Sequence, residues 1–103
     1  MGIEKGNEVK DHYIFCFKHT NDHEDVVTWW RPEGCGYTFF LAAAGKYSEK
    51  EILKHKCHYI NGRDNFVIPC AEVEKLAHPD HNGDLVVDNN KQNKIKLKKL
   101  AMK

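Results

Sequence analysis

The chain has 103 residues, the size of a single domain with one modest core. Hydrophobic residues make up 41% and charged residues 30%, proportions that are ordinary for a globular protein. No apolar run approaches the length of a membrane span and no apolar signal region follows Met1, so we expect a cytoplasmic protein with no membrane partner.

The net charge of +1 hides an uneven distribution along the chain. Residues 91–103 contain six lysines and no acid, whereas the rest of the chain holds ten basic and fifteen acidic side chains, a formal charge of −5. We therefore expect one domain over residues 1–90 and a lysine-rich C-terminal tail over residues 91–103. The tail is compatible with a helix or with disorder beyond Leu100, and it either docks on the domain or makes a separate charged contact.

The first half of the chain predicts an antiparallel hairpin. Residues 12–18 form a strand-like run with apolar side chains on both alternating faces, which indicates a strand covered on both sides. A short polar turn around Asn21 and Asp22 leads into a second strand over residues 25–31. Because the connection is short, antiparallel pairing is the simplest arrangement.

A tight turn follows the second strand. Pro32 has no amide hydrogen to donate to a ladder, so the strand ends there. Gly34 and Gly36 permit the positive φ angles that their neighbours resist. Residues 37–44 are compatible with a short strand or with one or two helical turns, and Gly45 fits the end of a helix.

The clearest local signal in the chain is a capping box that begins at Ser48. Ser48 is the predicted N-cap, and Glu51 stands at the third helical position, where its carboxylate reaches back to the cap. Tyr47 precedes the cap and is placed to pack on Ile52. Apolar spacing extends the predicted helix as far as Asn61-Gly62.

The second half predicts two further strands and a short helix. Residues 65–68 read as a strand that Pro69 ends, and residues 71–77 as a helix that turns Val73 inward. A loop over residues 78–84 leads to a strand at 85–87. The order of elements predicts an α+β fold, with a small, mainly antiparallel sheet of three to four strands and two short helices on one face.

The sequence offers no convincing catalytic constellation. Ser48 is the only serine, and helix capping already explains it. Cys35 lies in a glycine-flanked turn and is the best candidate nucleophile, but no local oxyanion loop accompanies it. A glycine-rich phosphate cradle is absent. We therefore predict that the protein is not an enzyme, with no catalytic residue and no cofactor.

Cysteine and histidine are frequent, with four and seven residues, yet their spacing does not match a known type of metal centre. Finger and ribbon sites need two close ligand pairs that flank a loop. The groupings that come nearest are Cys16 with His19, His55 with Cys57 and His58, and His78 with His81. We predict no metal site, surface histidines, and mostly buried, reduced thiols.

A resemblance to known proteins rests on the segment WWRPEGCGYT at residues 29–38 and on AGKYSEKE at residues 44–51. The order W-W-R-P, G-Y-T and A-G-x-Y-[ST]-E before a helix resembles small, mostly uncharacterised bacteriophage and prophage proteins, over roughly residues 26–54. The resemblance implies a phage accessory factor that occludes a host or defence protein, as anti-restriction and anti-CRISPR proteins do.

Two hypotheses for binding remain, beside a less favoured third in which a small enzyme uses Cys35 or a histidine pair, and the oligomeric state stays open. In the first, a non-catalytic inhibitor binds a host or defence protein through aromatic and charged side chains of the turn, and the acidic domain suits a basic target. In the second, Trp29, Trp30 and Arg31 act with the lysine tail to bind nucleic acid or nucleotides. Strand alternation puts one tryptophan in the core. The predicted binding residues are Trp29, Arg31, Glu33, Cys35, Tyr37, Lys96, Lys98 and Lys99.

Overall fold

The fold is built around one central strand, β1 (Lys10–Cys16), in a computed structural model that describes residues 9–55, 59 and 64–102. Strand β5 (Asn65–Pro69) pairs antiparallel with β1 from His12 to Cys16. Strands β2 (Trp29–Trp30) and β4 (Tyr47–Ser48) also pair antiparallel with β1. Because His12 and Phe15 each have a partner in β5 as well, β2 and β4 share the opposite edge of β1.

The sheet is covered on both faces, as the alternation in β1 predicts. Tyr13 and Phe15 belong to one buried cluster, and Ile14 and Cys16 belong to a second. These paired apolar faces need cover from two sides, because an exposed sheet face would leave large side chains in water.

Three helices of the described ranges provide that cover, and they are not confined to one face. Helix α1 (Glu49–Lys54) contributes Ile52 to the cluster of Ile14 and Cys16. Helices α2 (Cys70–Leu76) and α3 (Lys91–Leu100) contribute Val73 and Leu97 to the cluster of Tyr13 and Phe15. The α+β class is as predicted from the sequence. The prediction placed two helices on one face of the sheet, whereas the described residues contain three helices on two faces.

The predicted capping box is present at the start of α1. The Ser48 hydroxyl accepts the Glu51 amide hydrogen at 3.1 Å, and the Glu51 carboxylate accepts the Ser48 amide hydrogen at 2.9 Å. The helix ends at Lys54, with His55 as its C-cap. Apart from Tyr59, its predicted continuation to Asn61-Gly62 falls on residues 56–58 and 60–62, which lie outside the described residues.

A second, smaller sheet consists of the hairpin β6 (Ala77–Pro79) and β7 (Leu85–Val87). The predicted strand 85–87 therefore pairs with part of the predicted loop and does not extend the main sheet. Its outer edge bonds to the segment before β2, where the Val27 amide donates to the Val87 carbonyl at 2.9 Å.

The described part of the lysine-rich segment, residues 91–102, is packed on the domain, which is the docked alternative of the two that the sequence left open. Asn90 caps α3 by accepting the Asn93 amide hydrogen at 2.8 Å. Leu97 is 0% exposed, and the Met102 amide donates to the Val67 carbonyl on the outer edge of β5 at 2.8 Å. Burying Leu97 stabilises the docked helix despite its run of lysines.

Within the described ranges, no helix combines the length and the apolar character that crossing a membrane requires.

Candidate functional site

The two tryptophans, which form β2 next to the candidate site, are buried and do not face solvent. Trp29 is 0% exposed and lies between Tyr13 and Phe15, with ring centroids 5.7 and 5.8 Å away. Trp30 is 9% exposed, and its indole N–H donates to the Asn65 side-chain oxygen at 2.9 Å. Trp29 is thus a core residue and not the predicted contact residue, because both faces of the sheet are covered.

The chain reverses after β2 in a compact turn that leads into β3 (Tyr37–Thr38), which pairs with β2. The Arg31 amide donates to the Gly36 carbonyl at 2.8 Å, and the Cys35 amide donates to the Pro32 carbonyl at 3.1 Å. These two bonds enclose a short 3₁₀ turn over Pro32–Gly34. The turn predicted from Pro32 and the two glycines is therefore present.

Glu33 departs from the expectation that glycines alone carry the positive φ angles of this turn. Gly34 and Gly36 have φ angles of 68° and 99°, but Glu33 also lies in the left-handed region, at φ 58° and ψ 25°. A residue with a β-carbon pays about 1–2 kcal/mol for that conformation. The surrounding contacts must therefore hold Glu33 in place.

Tyr47, from the neighbouring strand β4, is the main such contact. Its hydroxyl donates to the Arg31 carbonyl and accepts the Gly34 amide hydrogen, the latter at 2.9 Å. Burial raises the pKa of Tyr47 to about 12, so the hydroxyl keeps its proton at neutral pH. One buried phenol thus fixes the turn on both sides of Glu33.

Gly45 has a packing function that differs from the predicted helix stop. Its amide donates to the Trp30 carbonyl at 2.9 Å, and a β-carbon at this position would lie 2.7 Å from the Pro32 backbone. The preceding segment forms the short strand β3 and then a single turn, which the Ala44 amide closes on the Phe40 carbonyl at 3.0 Å. Only glycine allows the two chain segments to approach this closely.

Tyr37 is the exposed aromatic residue of the site. It is 38% exposed, stacks on His19 with a centroid distance of 4.0 Å and an interplanar angle of 28°, and lies 4.7 Å from the Trp30 ring. His19 Nδ1 lies 3.1 Å from the sulfur of Cys16. Burial raises the pKa of the Cys16 thiol, which therefore stays protonated at neutral pH.

His19 is a site residue that the sequence did not predict. The spacing Cys16-x-x-His19 indicates only a candidate metal pair, and the place of His19 beside Tyr37 depends on the pairing of β2 with β3. Arg31, Glu33, Cys35 and Tyr37, all predicted as binding residues, are exposed around the turn. We call these four residues together with His19 the turn surface.

The described residues of this site do not form a set that could activate a nucleophile or coordinate a metal ion. The Cys35 sulfur lies 3.7 Å from the Glu33 carbonyl oxygen, and no described histidine forms a hydrogen bond with it. Across residues 9–55, 59 and 64–102, no three histidine, cysteine, aspartate or glutamate side chains are grouped closely enough to hold a metal ion. The candidate ligands Cys57 and His58 lie outside the described residues.

The predicted lysine contacts on α3 divide into two groups. Lys98 places its ammonium 3.9 Å from the centroid of the Phe17 ring, so it is held against the domain by a cation–π contact. Lys96 and Lys99 extend to solvent on the other side of the helix. Lys98 therefore differs from the other two predicted residues, because its charge is already in contact with an aromatic ring.

Comparison of the chain with protein-family models, with curated proteins and with solved structures finds no match in any of the three.

Proposed function

We propose that this protein is a small, non-catalytic accessory factor that binds another protein through the turn surface, in the cytosol of a host cell. The observation that carries the proposal is the attachment of the turn to the Tyr47 hydroxyl, with bonds to Arg31 and Gly34. A turn that is already ordered loses little conformational entropy on binding. It presents an aromatic ring and a guanidinium, the two groups that contribute most to protein–protein contact energy.

The strained backbone of Glu33 supports the same surface. Left-handed conformations at residues other than glycine cluster where strain serves a function, and a glycine at this position would avoid the cost. The exposed turn surface contains the Glu33 carboxylate, the Arg31 guanidinium and the Tyr37 ring, so it offers both signs of charge and an aromatic group. Such mixed chemistry suits recognition of one partner over others.

The type of partner follows from the resemblance to phage proteins and from charge. The resemblance of residues 26–54 favours a host or defence protein, with inhibition by occlusion. The formal charge of −5 over residues 1–90 complements a basic partner, such as a protein that binds nucleic acid itself.

The alternative function, in which Trp29 and Trp30 stack on bases, is less well supported. Both indoles are buried, so neither offers a free ring face to a nucleotide. Only the lysine component of that hypothesis remains, and it concerns a separate helix.

The test is capture of the partner from host lysate by the tagged protein, followed by a binding measurement with the purified partner. We expect Arg31→Ala and Glu33→Ala each to weaken binding by about 1–2 kcal/mol, roughly a 5- to 30-fold loss of affinity. Matched controls exist on α2, where Lys75 and Glu72 form an exposed ion pair at 3.4 Å. Lys75→Ala and Glu72→Ala remove the same charges and should leave binding unchanged.

Nuclease treatment of the lysate separates the two functions. A protein partner that survives nuclease and discriminates the turn variants from the α2 variants supports the proposal. Capture of nucleic acid alone, or equal affinity for the wild type and both turn variants, contradicts it.

A further inference from the structure

The outward side of α3 carries lysines that form no ion pair within residues 9–55, 59 and 64–102. Gln92, Ile95, Lys96 and Lys99 line one shallow surface there, at the three- and four-residue spacings that share a helix face. We call these four residues the outer face of α3. Residues 91–103 contain no acid, so no side chain of the helix itself offsets these lysines.

The lysines on the inward side of the same helix behave differently. Lys94 lies 3.7 Å from the Asp22 carboxylate, and Lys98 lies 3.9 Å from the Phe17 ring centroid. Among the described residues, Lys96 and Lys99 have neither an ion pair nor an aromatic contact. The helix therefore carries two lysines that contact the domain and two that make neither of these contacts with the described part of the chain.

We propose that the outer face of α3 binds the phosphate backbone of nucleic acid without regard to sequence. Lys96 and Lys99 are separated by about 4.5 Å along the helix axis, and their long flexible stems let each ammonium reach a different phosphate. Gln92 adds a neutral donor on the same surface. The favourable free energy comes from counterions that the phosphates release when lysines replace them.

An anionic membrane fits this face less well than nucleic acid does. A helix that lies in a membrane surface needs a continuous apolar side, but Leu97 is buried in the domain. Ile95, at 45% exposure, is the one apolar residue among the four of the outer face. One isoleucine buries too little area to anchor a helix among headgroups.

An acidic protein also fits less well. Lysine is depleted in protein–protein interfaces, where arginine is favoured because its planar group bonds carboxylates in pairs. Protein–nucleic acid interfaces are instead strongly basic and polar, and lysine serves there as a point charge on phosphate. The two lysines and the glutamine of the outer face match the second composition.

The test is fluorescence anisotropy of a labelled single-stranded DNA of about 16 nucleotides, repeated with its duplex and from about 50 to 200 mM salt. The protein variants are the double substitutions Lys96→Gln with Lys99→Gln, and Lys94→Gln with Lys98→Gln. Both remove two charges from one helix, so they differ only in the side of the helix that is changed.

We expect the outer double variant to lose about tenfold or more in affinity. The plot of log K against log salt has a negative slope, and its magnitude should decrease by about 1–2 in this variant. The inner double variant should keep most of the affinity and slope but melt at a lower temperature. Circular dichroism confirms that the outer variant keeps the wild-type fold.

Three results would overturn the inference. One is the absence of salt-dependent binding by the wild-type protein. Another is an equal loss in both double variants, which would mean that net charge alone is responsible. The third is equally strong binding to poly-glutamate or to vesicles rich in phosphatidylserine, which would make the outer face a site for another class of partner. Arg31→Ala, on the turn surface, should bind DNA like the wild type, so this outcome is independent of the proposed protein partner.

Discussion

Glu33 illustrates how a single residue connects backbone geometry with binding. Its left-handed conformation is unfavourable by itself, and the neighbouring Gly34 and Gly36 cannot relieve it. The buried hydroxyl of Tyr47 bonds on both sides of Glu33 and keeps the conformation populated. At this position the backbone conformation favours glycine, whereas the proposed binding function requires the Glu33 carboxylate. A substitution can therefore separate the effect on stability from the effect on binding.

We predict that Glu33→Gly leaves the free energy of unfolding unchanged or raises it by up to about 1 kcal/mol, because relief of strain offsets the added entropy of the unfolded chain. The same variant should bind the partner more weakly, since the carboxylate is gone. Chemical denaturation and the binding assay measure the two effects.

Gly36→Ala is the matched control for backbone strain. Its φ of 99° disfavours any β-carbon, so this variant should lose stability where Glu33→Gly does not. A loss of more than about 1 kcal/mol in Glu33→Gly would mean that the Glu33 side chain stabilises the turn by more than its backbone strain destabilises it.

At the scale of elements, an exposed histidine in the β6–β7 hairpin contacts a carboxylate at the end of the hairpin. His78 Nε2 lies 2.6 Å from an Asp88 carboxylate oxygen, and Nδ1 lies 3.0 Å from the Pro79 carbonyl. The hydrogen bond to Asp88, with smaller contributions from Pro79 and the Asp80 charge, raises the pKa of His78. The pair joins the first strand of the hairpin to the residue that follows the second.

We predict that this contact makes the hairpin less stable at higher pH. The His78 pKa is raised in the folded state, so the stabilisation is fully present below the unfolded pKa of about 6.5 and is lost as pH rises through the folded pKa. Amide exchange of His78 and Val86, which pair across the hairpin, is compared with global unfolding to measure local opening of the hairpin.

Asp88→Asn should bring the His78 pKa down in an NMR titration and remove most of the pH dependence of hairpin opening. If the titration midpoint of His78 is the same in the variant and the wild type, the Asp88 contact is not what holds the proton.

Elements differ in how far the sequence alone could predict them. The capping box at Ser48 could be predicted because its partners are three residues apart and the interaction is local. The covered faces of β1 could be predicted from alternation. The hydrogen bond from the Tyr47 hydroxyl to the Arg31 carbonyl joins residues that are sixteen positions apart. It forms because β4 and the turn lie close together beside β1, and no local sequence pattern encodes that arrangement. The same applies to His19 beside Tyr37.

On the scale of the whole molecule, the uneven distribution of charge along the chain does not divide it into a separate acidic domain and basic tail. The basic segment is a helix of the domain, and Lys94 faces Asp22 on the acidic part at 3.7 Å. Composition suggests a boundary near residue 90 because charge is a property of the surface, whereas the packing of α3 depends on a few apolar residues. Among these, Leu97 is fully buried and Leu100 is 38% exposed.

We predict that Leu97→Ala destabilises the entire domain by about 2–5 kcal/mol, because it removes a fully buried side chain and leaves a cavity. Leu100→Ala removes the same group from a partly exposed site on the same helix and should cost well under half as much. Urea denaturation followed by tryptophan fluorescence is informative, since Trp29 lies in the same buried cluster as Leu97. If the segment were an independent tail, Leu97→Ala would leave the urea midpoint unchanged. The tryptophan signal would then report a core that does not depend on α3, and the outer face of α3 would have no rigid support for binding phosphate.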